Sequence, residues 1–340
     1  MFVCSATTDQ NIHGSSKQTN SRIMKKVCSL CKSEDEIKLS HIIPRFVFEW
    51  IIETTPGYLR NAANPNLRIQ DGIKSELLCE DCEQRLSKWE KAFAERVFKP
   101  LHESHGKASI YPYDEWALKF AVSVSWRALI HNKQLGLSHF SQRQRAYADR
   151  ALNIWSEFIL DQRKNPGPYE QHMLFFDVIA SHTFPDLSPY MNRYLLRTID
   201  MDVICSEKSA FIYTKMGRIA LFGVINDPNI NYWKGTKMHV KHGVLGNTNC
   251  RLPMNIYEYI NDRSNKVAQS LAGISTKQRS KINSLLEKEL KERPDELTSS
   301  EPFIAMVHDV ELSGNEAFKA TEKITLMMNR NISPRNFEYV

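Results

Sequence analysis

Two cysteine pairs frame a single histidine. Cys28 and Cys31 in "VCSLC", and Cys79 and Cys82 in "LLCEDC", are each separated by two residues, and His41 lies between the pairs in "KLSHIIPRF". A two-residue gap lets both thiols of a pair reach one ion, and a tetrahedron of four thiolates is a set that Zn²⁺ favours. Cys4, Cys205 and Cys250 are scattered and read as ordinary thiols. A neutral imidazole accepts a proton near neutral pH. His41 therefore reads either as a base beside the metal or as a hydrogen-bonded part of the knuckle wall. Two carboxylates lie near the second pair. Glu83 follows Cys82 and is either a ligand for a hard divalent cation or a negative charge favoured at a helix start. Asp71 is a weaker ligand candidate, because it also reads as a turn residue before Gly72.

The order Cys-x-x-Cys, then "SHIIP", then "LLCEDCE" resembles the HNH endonucleases, the zinc-bound branch of the His-Me finger or ββα-metal nucleases, over about residues 25–100. His41, Ile42, Ile43 and Pro44 match that family's Asp-His-Ile-x-Pro pattern. Leu78, Cys79 and Cys82 match its second pair, which opens a helix. One pair on a knuckle and one in a helix's first turn is the treble-clef arrangement. The resemblance implies that His41 polarises a water as general base, and that a catalytic Mg²⁺ or Mn²⁺ sits near the helix start. The family's acidic ligand before the histidine is Ser40 here, and its His or Asn after the last cysteine is Glu83. Ser40, Glu83 and Asp71 are thus the residues expected on the side of the cation.

The same resemblance implies a metal-dependent endonuclease that hydrolyses DNA phosphodiester bonds, with RNA left open, and a role in defence against foreign DNA. Arg45, Arg60, Arg68 and Lys74 fall inside the module and are the candidate phosphate contacts. Ser40 carries the alternative: a zinc-stabilised unit that binds nucleic acid or protein and has lost its catalytic metal. A third reading is a nuclease silent until a partner or ligand moves the C-terminal region.

The elements that would hold these residues are legible from periodicity. "CEDCEQRLSKWEKAFAERVF" reads as a helix, because Leu86, Trp89, Phe93 and Val97 recur at three- and four-residue steps. Acidic residues crowd its start, and Pro100 is expected to stop it. From about Asp114 to Arg197 the pattern is helical. "DEWALKFAVSVSWRALIHNK" predicts a buried helix, and "SQRQRAYADRALNIWSEFILDQR" an amphipathic one with Ser141 as N-cap. From about Met201 to Val244, "DVICS", "AFIYTKM" and "RIALFGVI" predict strands, the last two forming a hairpin at Gly217. "GTKMHVKHGVLG" adds a strand that would send His239 and His242 to opposite faces. "STKQRSKINSLLEKELKER" is a helix with the capping-box pair Ser275 and Gln278. The expected fold class is α+β: a disordered tail over 1–24, a zinc-bound treble-clef ββα-metal module over 25–100, and a larger mixed helical and antiparallel-β region over 101–340. That last region would choose the substrate or a protein partner, or join copies of the chain.

Other constellations are weaker. His102 and His105 read as a surface loop. Asp200 and Asp202 share a strand face, but no Glu-x-Lys follows to complete a nuclease core. There is no phosphate loop and no G-x-S-x-G elbow, so a nucleotide motor and that type of serine hydrolase are not expected. Composition narrows the class further. Apolar content of 42% and charged content of 25% are those of a soluble globular protein. No run is apolar enough to cross a bilayer, and no secretory signal opens the chain, so a cytoplasmic protein without membrane partners is expected. In that reducing compartment the paired cysteines read as metal ligands, not disulfides. The net charge of +6 permits nucleic-acid binding without requiring it.

Overall fold

The computed structural model describes residues 2–6, 25–55, 58–106, 110–246 and 249–313. Strand β1 (Phe2–Ala6) replaces the first part of the expected tail, and the rest of that tail lies outside the described residues. The cysteine-rich stretch begins with a short hairpin of β2 (Lys26–Val27) and β3 (Glu34–Asp35), followed by β4 (Ile37–His41). Pro44 has no N–H to extend a ladder, and the chain turns there into α1 (Arg45–Glu53), which buries Val47, Phe48 and Ile51. Next come β5 (Leu59–Asn61), β6 (Arg68–Ile69) and β7 (Lys74–Cys79). Cys79 leads into α2 (Glu80–Phe93), with Glu80, Asp81 and Glu83 in its first turn, where the helix dipole favours them.

Leu86, Phe93 and Val97 are buried along the expected stripe. Pro100, however, does not stop the helix. A π-helical turn, Ala94–Phe98, carries α2 into α3 (Lys99–Glu103). Pro100 takes a first-turn position, where its missing N–H has no intrahelical partner to lose. His102, on α3, is buried at 3% exposure, not on a surface loop. Its Nδ1 donates to the Phe98 carbonyl at 2.7 Å and its Nε2 accepts from the Arg218 N–H at 3.0 Å.

After β8 (Ile110–Asp114), α4 (Glu115–Gln134) is buried on nearly every side. Ser141 caps α5 (Gln142–Ile159) with a complete capping box to Gln144. Then follow β9 (Gln171–Phe175), α6 (Met191–Arg197), β10 (Ile199–Cys205), β11 (Ala210–Met216), β12 (Ile219–Asn226) and β13 (His242–Gly246). His239 precedes β13, so only His242 of that pair lies in a strand. Four helices close the described chain: α7 (Met254–Ala272), α8 (Thr276–Glu292), α9 (Pro294–Thr298) and α10 (Glu301–Ser313). Ser275 caps α8 by accepting from the Gln278 N–H. Among the described residues, no helix is long and apolar enough to cross a membrane.

The fold is mixed α and β. Its main sheet has seven strands in the order β6-β5-β1-β10-β11-β12-β9. β9 to β12 pair antiparallel, whereas β1 runs parallel to both β5 and β10. Alternate residues of β11 and β12 leave opposite faces. Ile212, Met216, Ile219 and Leu221 pack in one cluster with residues of α4 and α5. Phe211, Tyr213, Phe222 and Val224 pack in a second with residues of α6 and α7. Burial on both faces explains why these strands read as nearly continuous apolar runs. The β11–β12 hairpin turns at Gly217, whose φ of 59° favours glycine and where a Cβ would meet His102 Nε2 at 2.5 Å.

The cysteine-rich module is not packed apart from the rest. Its β5 and β6 form one edge of the main sheet. Its Phe93 stacks on Phe120 of α4, with ring centroids 3.9 Å apart. Residues 25–100 and the region beyond therefore share one sheet and one core. Asp200 and Asp202 do share a face, and Arg263 donates to both, at 2.8 and 3.2 Å. They serve a buried ion pair.

Candidate metal centre and hydrolytic site

The β2–β3 turn presents Cys28 and Cys31, and the junction of β7 with α2 presents Cys79 and Cys82. The knuckle is docked on β7 by a hydrogen bond from the Ser29 N–H to the Leu77 carbonyl at 2.8 Å. All four sulfurs lie within 4.8 Å of one another. Cys31 and Cys79 Sγ are 3.7 Å apart. A tetrahedral Zn²⁺ with bonds of ~2.3 Å needs sulfurs separated by ~3.8 Å, so the donor set fits zinc in type, number and spacing. The hydrogen bond from Cys82 pulls the Cys28 thiol down to about 4 against the effect of burial, and the Cys79, Cys31 and Leu30 backbone N–H groups add to it. The same contact and burial push Cys82 up. A thiolate is thus favoured in this pocket before any ion enters. The cluster could hold a metal ion, and among the described residues no other group of three or more His, Cys, Asp or Glu side chains could.

β4 and β7 pair antiparallel, setting Ser40 opposite Ser75 and His41 opposite Lys74. β4 ends at His41, and Ser40 and His41 meet different partners. Ser40 is buried and donates to the Glu83 carboxylate in the first turn of α2. His41 is partly exposed, and its Nε2 lies 2.7 Å from Asp71 Oδ1. Asp71 Oδ1 also accepts from the Gly72 N–H at 2.7 Å, and its Oδ2 pairs with Lys74 Nζ at 2.5 Å. Burial alone would raise the Asp71 carboxyl, but the hydrogen bonds from Lys74, His41 and the Gly72 N–H outweigh it and hold it well below the usual carboxylate range.

That ionisation fixes the imidazole. A carboxylate only accepts, so His41 Nε2 donates to it, and in the neutral ring Nδ1 carries the lone pair. Gly72 makes the arrangement reachable, because a Cβ there would run into the Phe48 ring at 2.4 Å. The His41 backbone is held from α4: Arg127 Nη1 donates to its carbonyl at 2.9 Å, while Nη2 pairs with Glu90 of α2 at 2.6 Å. Arg127 is 2% exposed.

The expected site residues are thus divided. The four cysteines converge, and Ser40 meets Glu83. Asp71 does not join them. Its oxygens are taken by His41, Gly72 and Lys74, and it stands at a bend before Gly72. Of the basic candidates, Lys74 belongs to Asp71, and Arg45 is exposed and pairs with Glu49 at 2.8 Å. Arg68 is exposed with its guanidinium 3.5 Å above the Tyr58 ring. Arg60 is only 2% exposed and donates to the Pro65 carbonyl and Gln278. Sequence reasoning missed Arg127, Glu90 and His131, whose Nδ1 lies 2.7 Å from Ser75 Oγ. The signal was present: Arg127 is a charge inside the apolar run "AVSVSWRALI". Comparison with family models, curated proteins and solved structures finds no match to this chain.

Proposed function

We propose that the protein is a metal-dependent endonuclease of the HNH type that hydrolyses DNA phosphodiester bonds, with the four cysteines holding a structural Zn²⁺ in a treble-clef module. The observation that carries this reading is the His41–Asp71 pair at 2.7 Å on the β4–β7–α2 unit. Asp71 holds the Nε2–H tautomer and stabilises the imidazolium that forms when Nδ1 takes a proton from water. Lys74 keeps Asp71 ionised and in place. Arg127 and Glu90 fix the strand end from which His41 projects.

Glu83, with the Ser40 hydroxyl, would hold the catalytic cation. One carboxylate and one hydroxyl are hard oxygen donors of the kind Mg²⁺ uses, with substrate phosphate and waters completing its shell. Such an ion supplies charge neutralisation at the phosphate and the leaving oxygen. Arg45 and Arg68, the two of the four basic candidates that are exposed, are the phosphate contacts, and defence against foreign DNA is the role this activity would serve. The test is cleavage of plasmid, linear DNA and RNA with EDTA, Mg²⁺ or Mn²⁺, beside Glu83→Gln. The proposal expects cleavage that needs the divalent ion and falls at least about a hundredfold in the variant.

A second reading is favoured by one contact, the closure of Ser40 on the Glu83 carboxylate. In it the zinc module binds nucleic acid or protein without cutting. Retained DNA binding with no cleavage under any divalent ion would select it.

A further inference from the structure

A cavity of about 90 Å³ lies between the β5–β6 edge, α6 and the last three helices. Four cations line it, Arg60, Arg68, Arg193 and Lys281, and no carboxylate does. Much of the remaining wall is apolar, including Leu285, Phe303 and Met306. Only Arg193 is answered within the chain: its Nε pairs with Asp309 at 2.7 Å. Among the described residues no Asp or Glu pairs with Arg60, Arg68 or Lys281. The buried Arg60 donates to neutral oxygens, the Pro65 carbonyl at 2.8 Å and Gln278 Oε1 at 3.2 Å. Burial and the nearby Arg68 charge both work against its ionised form. A buried guanidinium without a counter-charge, facing a second cation, is an expensive arrangement that an anion would relieve.

We propose that this cavity binds a small amphiphilic organic anion, with a phosphate or carboxylate head on Arg60, Arg68 and Lys281 and a compact apolar body against Leu285, Phe303 and Met306. Guanidinium groups suit either head, because both offer paired oxygens. The volume is below the ~150 Å³ that encloses a benzene ring, so the pocket takes the head and one edge of a small body, the rest staying at its opening. The proposal uses none of His41, Glu83 or the cysteines and shares only Arg68 with the nuclease reading, so Leu285→Asp tests it apart from that reading.

Titration calorimetry on the full-length, zinc-loaded protein tests it, with phenyl phosphate, benzoate, inorganic phosphate and benzyl alcohol as probes. The expected result is saturable one-to-one binding of phenyl phosphate or benzoate, at least about tenfold tighter than either inorganic phosphate or benzyl alcohol. Which of the two binds better identifies the head. Arg68 is exposed and Leu285 is 37% exposed, so Arg68→Gln and Leu285→Asp should leave the fold intact. Each should weaken binding about tenfold or more at an unchanged unfolding midpoint. No saturable binding of either anion, binding no tighter than that of the two fragments, or binding unchanged in either variant would overturn the proposal.

Discussion

The cysteine cluster and the His41–Asp71 pair lie toward opposite ends of the β4–β7 ladder, yet the two are assembled differently. The cysteine cluster takes two ligands from one turn and two from one strand–helix junction. Each half is set by a local gap of two residues, and the docking of the knuckle on β7 brings the halves together. The His41 corner has no such local unit. His41 meets Asp71 through a loop that must pass the Phe48 ring, and its backbone is held by Arg127 from α4 and, through that, by Glu90. A metal cluster can be specified by spacing. The His41–Asp71 pair is specified by the packing of several elements, so it inherits every change in that packing.

The difference sets the order of expected effects. Removing the metal or one of its ligands, by chelation or by Cys79→Ser, should cost most. The binding free energy of a structural zinc is folding free energy. The expected loss is more than about 5 kcal/mol in denaturant unfolding, with loss of bound zinc measured in parallel. Because Cys28, Leu77 and Phe93 belong to the main core, the whole chain should be weakened, not the module alone.

Glu90→Gln sharpens the contrast by attacking the other site without touching the cluster. It leaves the Arg127 guanidinium buried without its carboxylate, which should cost roughly 3–5 kcal/mol. Zinc content should stay at the wild-type level. A variant that loses zinc as well would mean that the two sites are one cooperative unit.

Asp71→Asn should change stability least and chemistry most. The folded carboxyl lies below the 3.8 of an unconstrained one, so its contribution is fully present above about pH 4 and is lost as the pH falls further. The side chain is 42% exposed, and solvent screening keeps the effect at pH 7 below about 1 kcal/mol. Denaturation from pH 7 down to 3 should show a flatter acid limb in the variant. An acid limb equal to the wild type would contradict the ionised pair.

Much of this was legible in the chain itself. The apolar stripe of α2, the Ser141 capping box and the hairpin at Gly217 are local patterns, and they stand where periodicity and turn chemistry put them. Three features were not legible. β1 is a strand because β5 and β10 flank it in parallel, a pairing with distant segments that no local pattern encodes. The π-turn before α3 absorbs Pro100, which periodicity treats as a stop. The burial of Arg60 against Pro65 and Gln278 depends on α8 folding back over β5, which no local pattern encodes. The site divides along the same line: the cysteines were readable from spacing, whereas the service of Asp71 to His41 depends on one glycine's close approach to a ring.

The most direct measurement is the rate of Mg²⁺- or Mn²⁺-dependent plasmid cleavage by the wild type and by His41→Ala at equal zinc content. The account predicts cleavage by the wild type and a fall of at least about a hundredfold in the variant, the scale of a lost general base. Equal rates in the two proteins, or no cleavage by a zinc-loaded wild type that still binds DNA, would contradict it.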